Sequence, residues 1–253
     1  MPTVAVSQTM PQAPVHRVGS YDRVFYGSLA ASMAAMAIAG FAPTFYLRLF
    51  TGGPMETFAT GHPFTPLIYI HGVLFTAWVA LFIVQTALIS ARRVAVHRRL
   101  GIGGAVLAAA MIAVATMTAV AGAKRGSAPP GVPPLAFLAI PVFDMVMFAI
   151  FVTAALALRR NREAHKRLML LAYVSIMGAP AARLPGVLPF GPLAFYGIAF
   201  VFLAAGILYD LVSRRRVHPA YAWGGALLVA SVPLRLAISG TATWMAIAHA
   251  LTR

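Results

Sequence analysis

Cysteine is absent from all 253 positions. That excludes disulfides, thiolate metal sites and the paired-cysteine attachment of c-type haem, and leaves non-covalent cofactors open. Charge is also scarce: 10% of residues are charged, where a soluble domain carries about a quarter. Acids are the rarest, with five Asp and Glu against 20 Lys and Arg. A chain that is 60% hydrophobic has too little polar surface to stay in water, so a bilayer is its natural solvent. Its length suits one bundle with short connections rather than two domains. The formal charge of +15 sits in short clusters between apolar runs. That is the pattern of residues that set membrane orientation and meet anionic lipid head groups, and it argues against a nucleic-acid partner.

What is present is a series of apolar runs long enough to cross a membrane. Seven spans are expected, at roughly 24–45, 66–90, 100–123, 135–158, 168–184, 193–212 and 222–245. The fold class is therefore an all-α integral membrane bundle: a leader at 1–23 and a single transmembrane domain at 24–253. The leader is long and holds three prolines, and the Ala37–Ala39 run is expected to belong to a retained span rather than to a cleaved signal peptide.

Lys and Arg in the connections set the orientation. Fourteen fall on one side: Arg17, Arg23, Arg92, Arg93, Arg98, Arg99, Arg159, Arg160, Arg162, Lys166, Arg167, Arg214, Arg215 and Arg216. Four fall on the other: Arg48, Lys124, Arg125 and Arg253. The heavy side is expected to be cytoplasmic, with the N-terminus inside and the C-terminus outside, as in a bacterial inner-membrane protein. The outer connections Gly52-Gly53-Pro54 and 129–134 are rich in turn residues and hold Glu56 as their one carboxylate; His62 lies in the longest of them.

An internal repeat runs through the chain. Ala87-Leu88, Arg92 and His97-Arg98-Arg99-Leu100 recur 68 residues later as Ala155-Leu156, Arg160 and His165-Lys166-Arg167-Leu168. Arg215-Arg216-Val217-His218-Pro219 is a weaker third copy. The pattern predicts one leading helix followed by three similar hairpins. Gly101-Ile102-Gly103-Gly104 follows no strand and reads as close helix packing rather than a nucleotide loop.

Ionisable groups inside spans are costly unless partnered, so the few present mark candidate sites. They are His71, Asp144, Arg183 and Arg235, with Asp210 near an inner end. At a rise of about 1.5 Å per residue, Asp144, Arg183 and Arg235 arrive at nearly one depth, about 20–22 Å from the inner side, with His71 one or two turns further out. Asp144 is therefore expected to contact Arg235, Arg183 or both. Two cations against one acid make a net-cationic site in the outer half. His71, Phe75, Trp78, Phe82 and Gln85 share one helix face, which could line a flat cofactor or simply face the bundle. His97, His165 and His218 each open a returning helix at the inner side, where they could form a metal or haem ligand set or serve as interfacial residues.

His71-Gly72, His97-Arg98-Arg99-Leu100-Gly101 and His165-Lys166-Arg167-Leu168-Met169 with the later Arg183 resemble an uncharacterised family of bacterial multi-pass membrane proteins. That pattern is a His in one helix, then His-Arg-x-x-Gly, then His-Arg-x-Met with an Arg one helix later, over residues 66–190. The arrangement is also loosely similar to cytochrome b561-type bundles, a likeness that implies haem b held between helices. Three functions follow as expectations. The first is a redox membrane protein that binds haem b or quinone at His71, Trp78, Asp144, Arg183 and Arg235. The others are an accessory subunit of a larger membrane complex, and a carrier of a small anion or lipid.

Overall fold

The structure, a computed structural model, describes residues 18–52 and 61–253. Arg17, Gly53, Pro54 and Glu56 lie outside the described residues. Among the described residues the chain is all-α. Six helical stretches are long and apolar enough to cross a membrane: Tyr21–Thr51, Pro66–Ser90, Val94–Lys124, Pro134–Ala157, Leu188–Arg214 and Pro219–Ser239.

The first is α1 (Val18–Phe41), so residues 18–23 of the expected leader are already helical. A π-turn at Ala42–Tyr46 leads from α1 into the short α2 (Leu47–Thr51). Pro43 lies in that turn; proline has no N–H to give an α-helical ladder, and a widened turn absorbs the loss. Helices α3 (Pro66–Ser90) and α4 (Val94–Lys124) form the first hairpin, and proline at the start of α3 costs no ladder bond there. Helices α5 (Pro134–Phe137) and α6 (Ala139–Ala157) make the next span almost continuously. Asn161 then caps α7 (Arg162–Ser175), its Oδ1 accepting from the N–H of Glu163 and of Ala164, both at 3.1 Å.

Two expected spans break. The fifth, at 168–184, divides at Ile176 and Met177 into α7 and the short α8 (Gly178–Ala182). Pro180 is the physical reason: in a continuous helix its ring would clash with the carbonyl of Ile176 and it could not donate to it. The seventh, at 222–245, ends at Ser239. Helix α9 (Gly191–Arg214) leads into α10 (Pro219–Ser239), and Thr241 caps a separate α11 (Ala242–Leu251) by accepting from the Trp244 N–H at 3.2 Å. Pro233 lies inside α10 without interrupting it. At ten residues, α11 is about 15 Å long, too short to span. It lies at the bundle end, where Trp244 Nε1 donates to the Leu135 carbonyl at 2.8 Å.

The connections 91–93, 158–161 and 215–218 share one end of the bundle with the start of α1, where Lys166 meets Asp22. This is the basic end. Lys124, whose Nζ reaches the Arg253 carbonyl at 2.8 Å, marks the opposite end. The repeat extends to helix starts: Val94 and Arg162 are 68 residues apart, and His97 and His165 are each the fourth residue of their helix. Their rings lie 6.3 Å apart. The third copy differs, because His218 stands just before α10 as its cap.

Helices α6 and α7 are the most enclosed, with nine buried residues each, whereas α3 buries only Trp78. Halfway along the bundle, Met33, Trp78, Met111, Phe148, Phe151 and Leu171 form an apolar layer, with Trp78 edge-on to Phe148 at 5.0 Å. Small residues let helices approach: a Cβ on Gly40 would collide with the Pro180 carbonyl oxygen, so α1 lies directly on α8.

Candidate functional site

At the end opposite the basic loops, a cavity of about 940 Å³ reaches down among α1, α3, α4, α6, α8 and α9. Phe41 and Phe45 from the first span, Phe75 from α3 and Phe195 from α9 give it aromatic walls. Polar side chains are also set into these walls, among them His71, Arg125, Asp144, Tyr173, Arg183 and Tyr196. Val79, Ala115 and Tyr173 lie deepest, near the apolar layer.

Helix α3 holds His71 against Phe75, with ring centroids 4.2 Å apart and nearly parallel. Its Nδ1 is buried with no partner among the described residues. Tyr173 stands on the last turn of α7, next to the break that Pro180 imposes. It is 1% exposed, and its hydroxyl likewise has no hydrogen-bond partner among the described residues. A buried hydroxyl left without a partner costs about 1–3 kcal/mol, so two such atoms on one cavity are chemically informative. Arg183 donates from Nη1 to the Ala179 carbonyl at 2.8 Å and lies 4.6 Å over the Phe41 ring.

Behind the cavity wall is the expected ion pair. Arg235, fully buried on α10, donates from Nη1 to Asp144 Oδ1 and to the Tyr196 hydroxyl at 2.5 Å. Its Nε donates to the Ser231 carbonyl at 3.0 Å and its Nη2 to Ser231 Oγ at 2.8 Å. The Tyr196 hydroxyl in turn donates to Asp144 Oδ1 at 2.6 Å. Both bonds that the Asp144 carboxylate accepts fall on Oδ1. Asp144 Oδ2 receives none among the described residues, and 10% of the side chain stays exposed at the cavity wall.

Of the five expected cofactor residues, His71, Asp144 and Arg183 line this cavity. Arg235 stands behind Asp144. Trp78 does not line it: the stripe on α3 divides, with His71 and Phe75 in the cavity wall and Trp78 packed in the core on Phe148. Tyr173 and Tyr196 were not singled out by sequence reasoning, since a tyrosine in an apolar run looks like core packing.

The basic end holds a second ionic cluster that the sequence reading did not assemble. Arg167, expected as a loop charge, is fully buried on the first turns of α7. Its Nε donates to Asp210 Oδ2 at 2.8 Å, its Nη2 to Asp210 Oδ1, and its Nη1 to Glu163 Oε2 at 2.7 Å. Asp210 Oδ2 also accepts the His218 N–H at 3.1 Å. Around this core, Arg214 reaches Glu163 at 2.7 Å, Lys166 reaches Asp22 at 2.5 Å, and Tyr209 donates to Asp22 at 2.6 Å. Burial alone would raise the Glu163 carboxyl, but the bonds from Arg167 and Lys166 outweigh it and hold its pKa below the usual range. Burial, with the Arg167 charge beside it, lowers the pKa of His218.

The structure does not bring His97, His165 and His218 together as one set. His165 Nδ1 lies 2.8 Å from the Ala155 carbonyl, and His218 Nδ1 accepts the Ala220 N–H at 3.1 Å as a helix cap. Among the described residues, no group of three or more His, Cys, Asp or Glu is placed to hold a metal ion.

Comparison of the chain with protein-family models, with curated proteins and with solved structures gives no match, so the function has to be argued from the chemistry of the site.

Proposed function

We propose that the protein binds a quinone-type ring in the cavity opposite its basic end, as a redox component of the membrane. The observation that carries this is the buried hydroxyl of Tyr173, without a partner among the described residues, in a cavity that also receives the likewise unpartnered Nδ1 of His71. A quinone offers what these groups lack: a flat ring for the aromatic walls and carbonyl oxygens that accept hydrogen bonds. The Arg183 guanidinium adds a donor that suits such an oxygen. The cavity has the size and the mostly apolar wall with few polar groups typical of small-molecule sites. Haem b fits the residues less well, because His71 is the one histidine on the wall among the described residues. A quinone reading also implies a redox partner, which would be a second membrane subunit.

Extraction of protein purified in mild detergent, followed by chromatography, tests the reading. Co-purifying quinone, or saturable quenching of tryptophan fluorescence by a short-chain benzoquinone, is expected. Protein that carries no quinone and shows no saturable quenching overturns it.

The proposed setting is the inner membrane of a bacterium, basic end to the cytoplasm. At that end nine arginines are exposed, namely 92, 93, 98, 99, 159, 160, 162, 215 and 216. Asp22, Glu163 and Asp210 are all engaged within the cluster. Guanidinium forks at this level match the phosphates of anionic lipid head groups. Because the chain has no cysteine, single cysteines introduced at Arg92 and Ser127 report sidedness directly. Arg92 is expected to label from the cytoplasmic face and Ser127 from the outer face; the opposite pattern reverses the assignment, and labelling of both from one face refutes the topology.

A further inference from the structure

We infer that the cavity selects the hydrogen-bearing form of its ring ligand, a hydroquinone or phenol, through the open oxygen of Asp144. The inference rests on the quinone-type reading above and sharpens it. Arg235 and Tyr196 both bind Oδ1, which fixes the plane of the carboxylate and leaves the lone pairs of Oδ2 without a donor among the described residues. Asp144 is on the cavity wall, so the missing donor can come from a ligand. A quinone carbonyl placed there would set two acceptor oxygens against each other with little water to separate them. A ring hydroxyl placed there donates instead, and a hydrogen bond to a carboxylate is among the stronger kinds.

The other donors Oδ2 could accept are less suited to the site. An ammonium group would satisfy the oxygen, but Arg125 and Arg183 share the wall and Arg235 stands behind it, with Asp144 the one acid lining the cavity among the described residues. A further cation would enter a net-positive cavity. An aliphatic alcohol would satisfy Oδ2 and leave the aromatic walls without a flat partner. An aromatic hydroxyl meets both demands. Tyr173 and His71 then serve the remaining ring oxygen, so the same cavity tells the two ends of a hydroquinone apart from those of its quinone.

The test needs no variant. Binding of a 4-alkylphenol, the matching 4-alkylanisole and the matching alkylammonium to wild-type protein in detergent is measured by titration calorimetry. The phenol is expected to bind at least about tenfold more tightly than the anisole, which has the same ring and no hydrogen to give. Anaerobic titration should favour a short-chain hydroquinone over its quinone by a similar factor. Asp144→Asn, where it folds, should reduce the phenol-to-anisole ratio towards one. Equal binding of phenol and anisole, or tighter binding of the alkylammonium, overturns the role of Asp144 and leaves the cavity reading standing. If no ring compound binds at all, the quinone-type reading has failed as well.

Discussion

At the basic end, Arg167 and Asp210 meet with both side chains wholly buried, and both carboxylate oxygens of Asp210 are occupied by the protein. At the cavity end, Arg235 and Asp144 meet with Arg235 wholly buried, but one oxygen of Asp144, beside the cavity, has no partner among the described residues. The ingredients are the same, an arginine and an aspartate on neighbouring helices with tyrosine rings beside them. The first arrangement is closed, and its chemistry is used up in joining α7 to α9. The second is left open on one side. A buried charge pair is therefore not evidence of function by itself; the unoccupied acceptor facing a cavity is what separates the two.

The comparison can be broken most directly by removing one charge from each pair. Asp210→Asn should destabilise the bundle by about 3 kcal/mol or more, because the buried Arg167 loses its buried partner and keeps only the part-exposed Glu163. Asp144→Asn should cost less, since the cavity lets water approach. Thermal unfolding in one detergent checks this, and equal losses would erase the distinction. Next in size are the paired replacements. Arg167→Met with Asp210→Leu should restore much of the lost stability, as apolar replacement of a whole buried pair often does. Arg235→Met with Asp144→Leu should also fold but bind phenol and anisole alike. A smaller effect is expected from Tyr173→Phe: roughly a twofold to twelvefold loss of ring-ligand affinity from about 0.5–1.5 kcal/mol, with the melting temperature unchanged or raised. A fall in stability with no change in binding would make Tyr173 a core residue.

The smallest effect is that of pH on the basic end. Glu163 and His218 both have folded-state pKa values below their ordinary ones of 4.5 and 6.5. Each therefore contributes stability that is complete above its unfolded pKa and is lost as pH falls through the folded one. The melting temperature should decline as pH drops below about 6.5 and again below about 4.5. Glu163→Gln should flatten the second decline, and a melting temperature that rises on acidification would contradict the sign.

Much of this was legible from the chain. Hydropathy located the spans, because a bilayer enforces about 20 apolar residues per crossing. Counting residues along three helices placed Asp144 and Arg235 at one level, and they do touch. The break between α7 and α8 is harder to read: Pro180, Pro185 and Pro233 all fall in or beside apolar runs, and only packing decides which proline interrupts a helix. The basic-end cluster went unseen because Arg167 stands in a run of loop arginines, and position alone does not separate an exposed one from a buried one. A signal was available: Glu163, Lys166 and Arg167 at helical spacing with Asn161 ahead of them mark a capped amphipathic start, and α7 is the least apolar of the long helices. His218 followed by Pro219 likewise has the form of a cap more than of a ligand.

The apolar layer between the two clusters has a consequence for the sidedness of any chemistry. Tyr173, deep in the cavity, and Arg167, in the closed cluster, are six residues apart on α7, about 9 Å along the axis. Phe148, Phe151, Met33 and Met111 fill that interval, each with essentially no exposure, and offer no donor or acceptor for a chain of waters. The layer is an insulator. On the proposed quinone-type reading, hydrogen ions taken up or given off by the ligand would be exchanged with the compartment on the cavity side, and the gradient across the membrane would not be short-circuited through this layer.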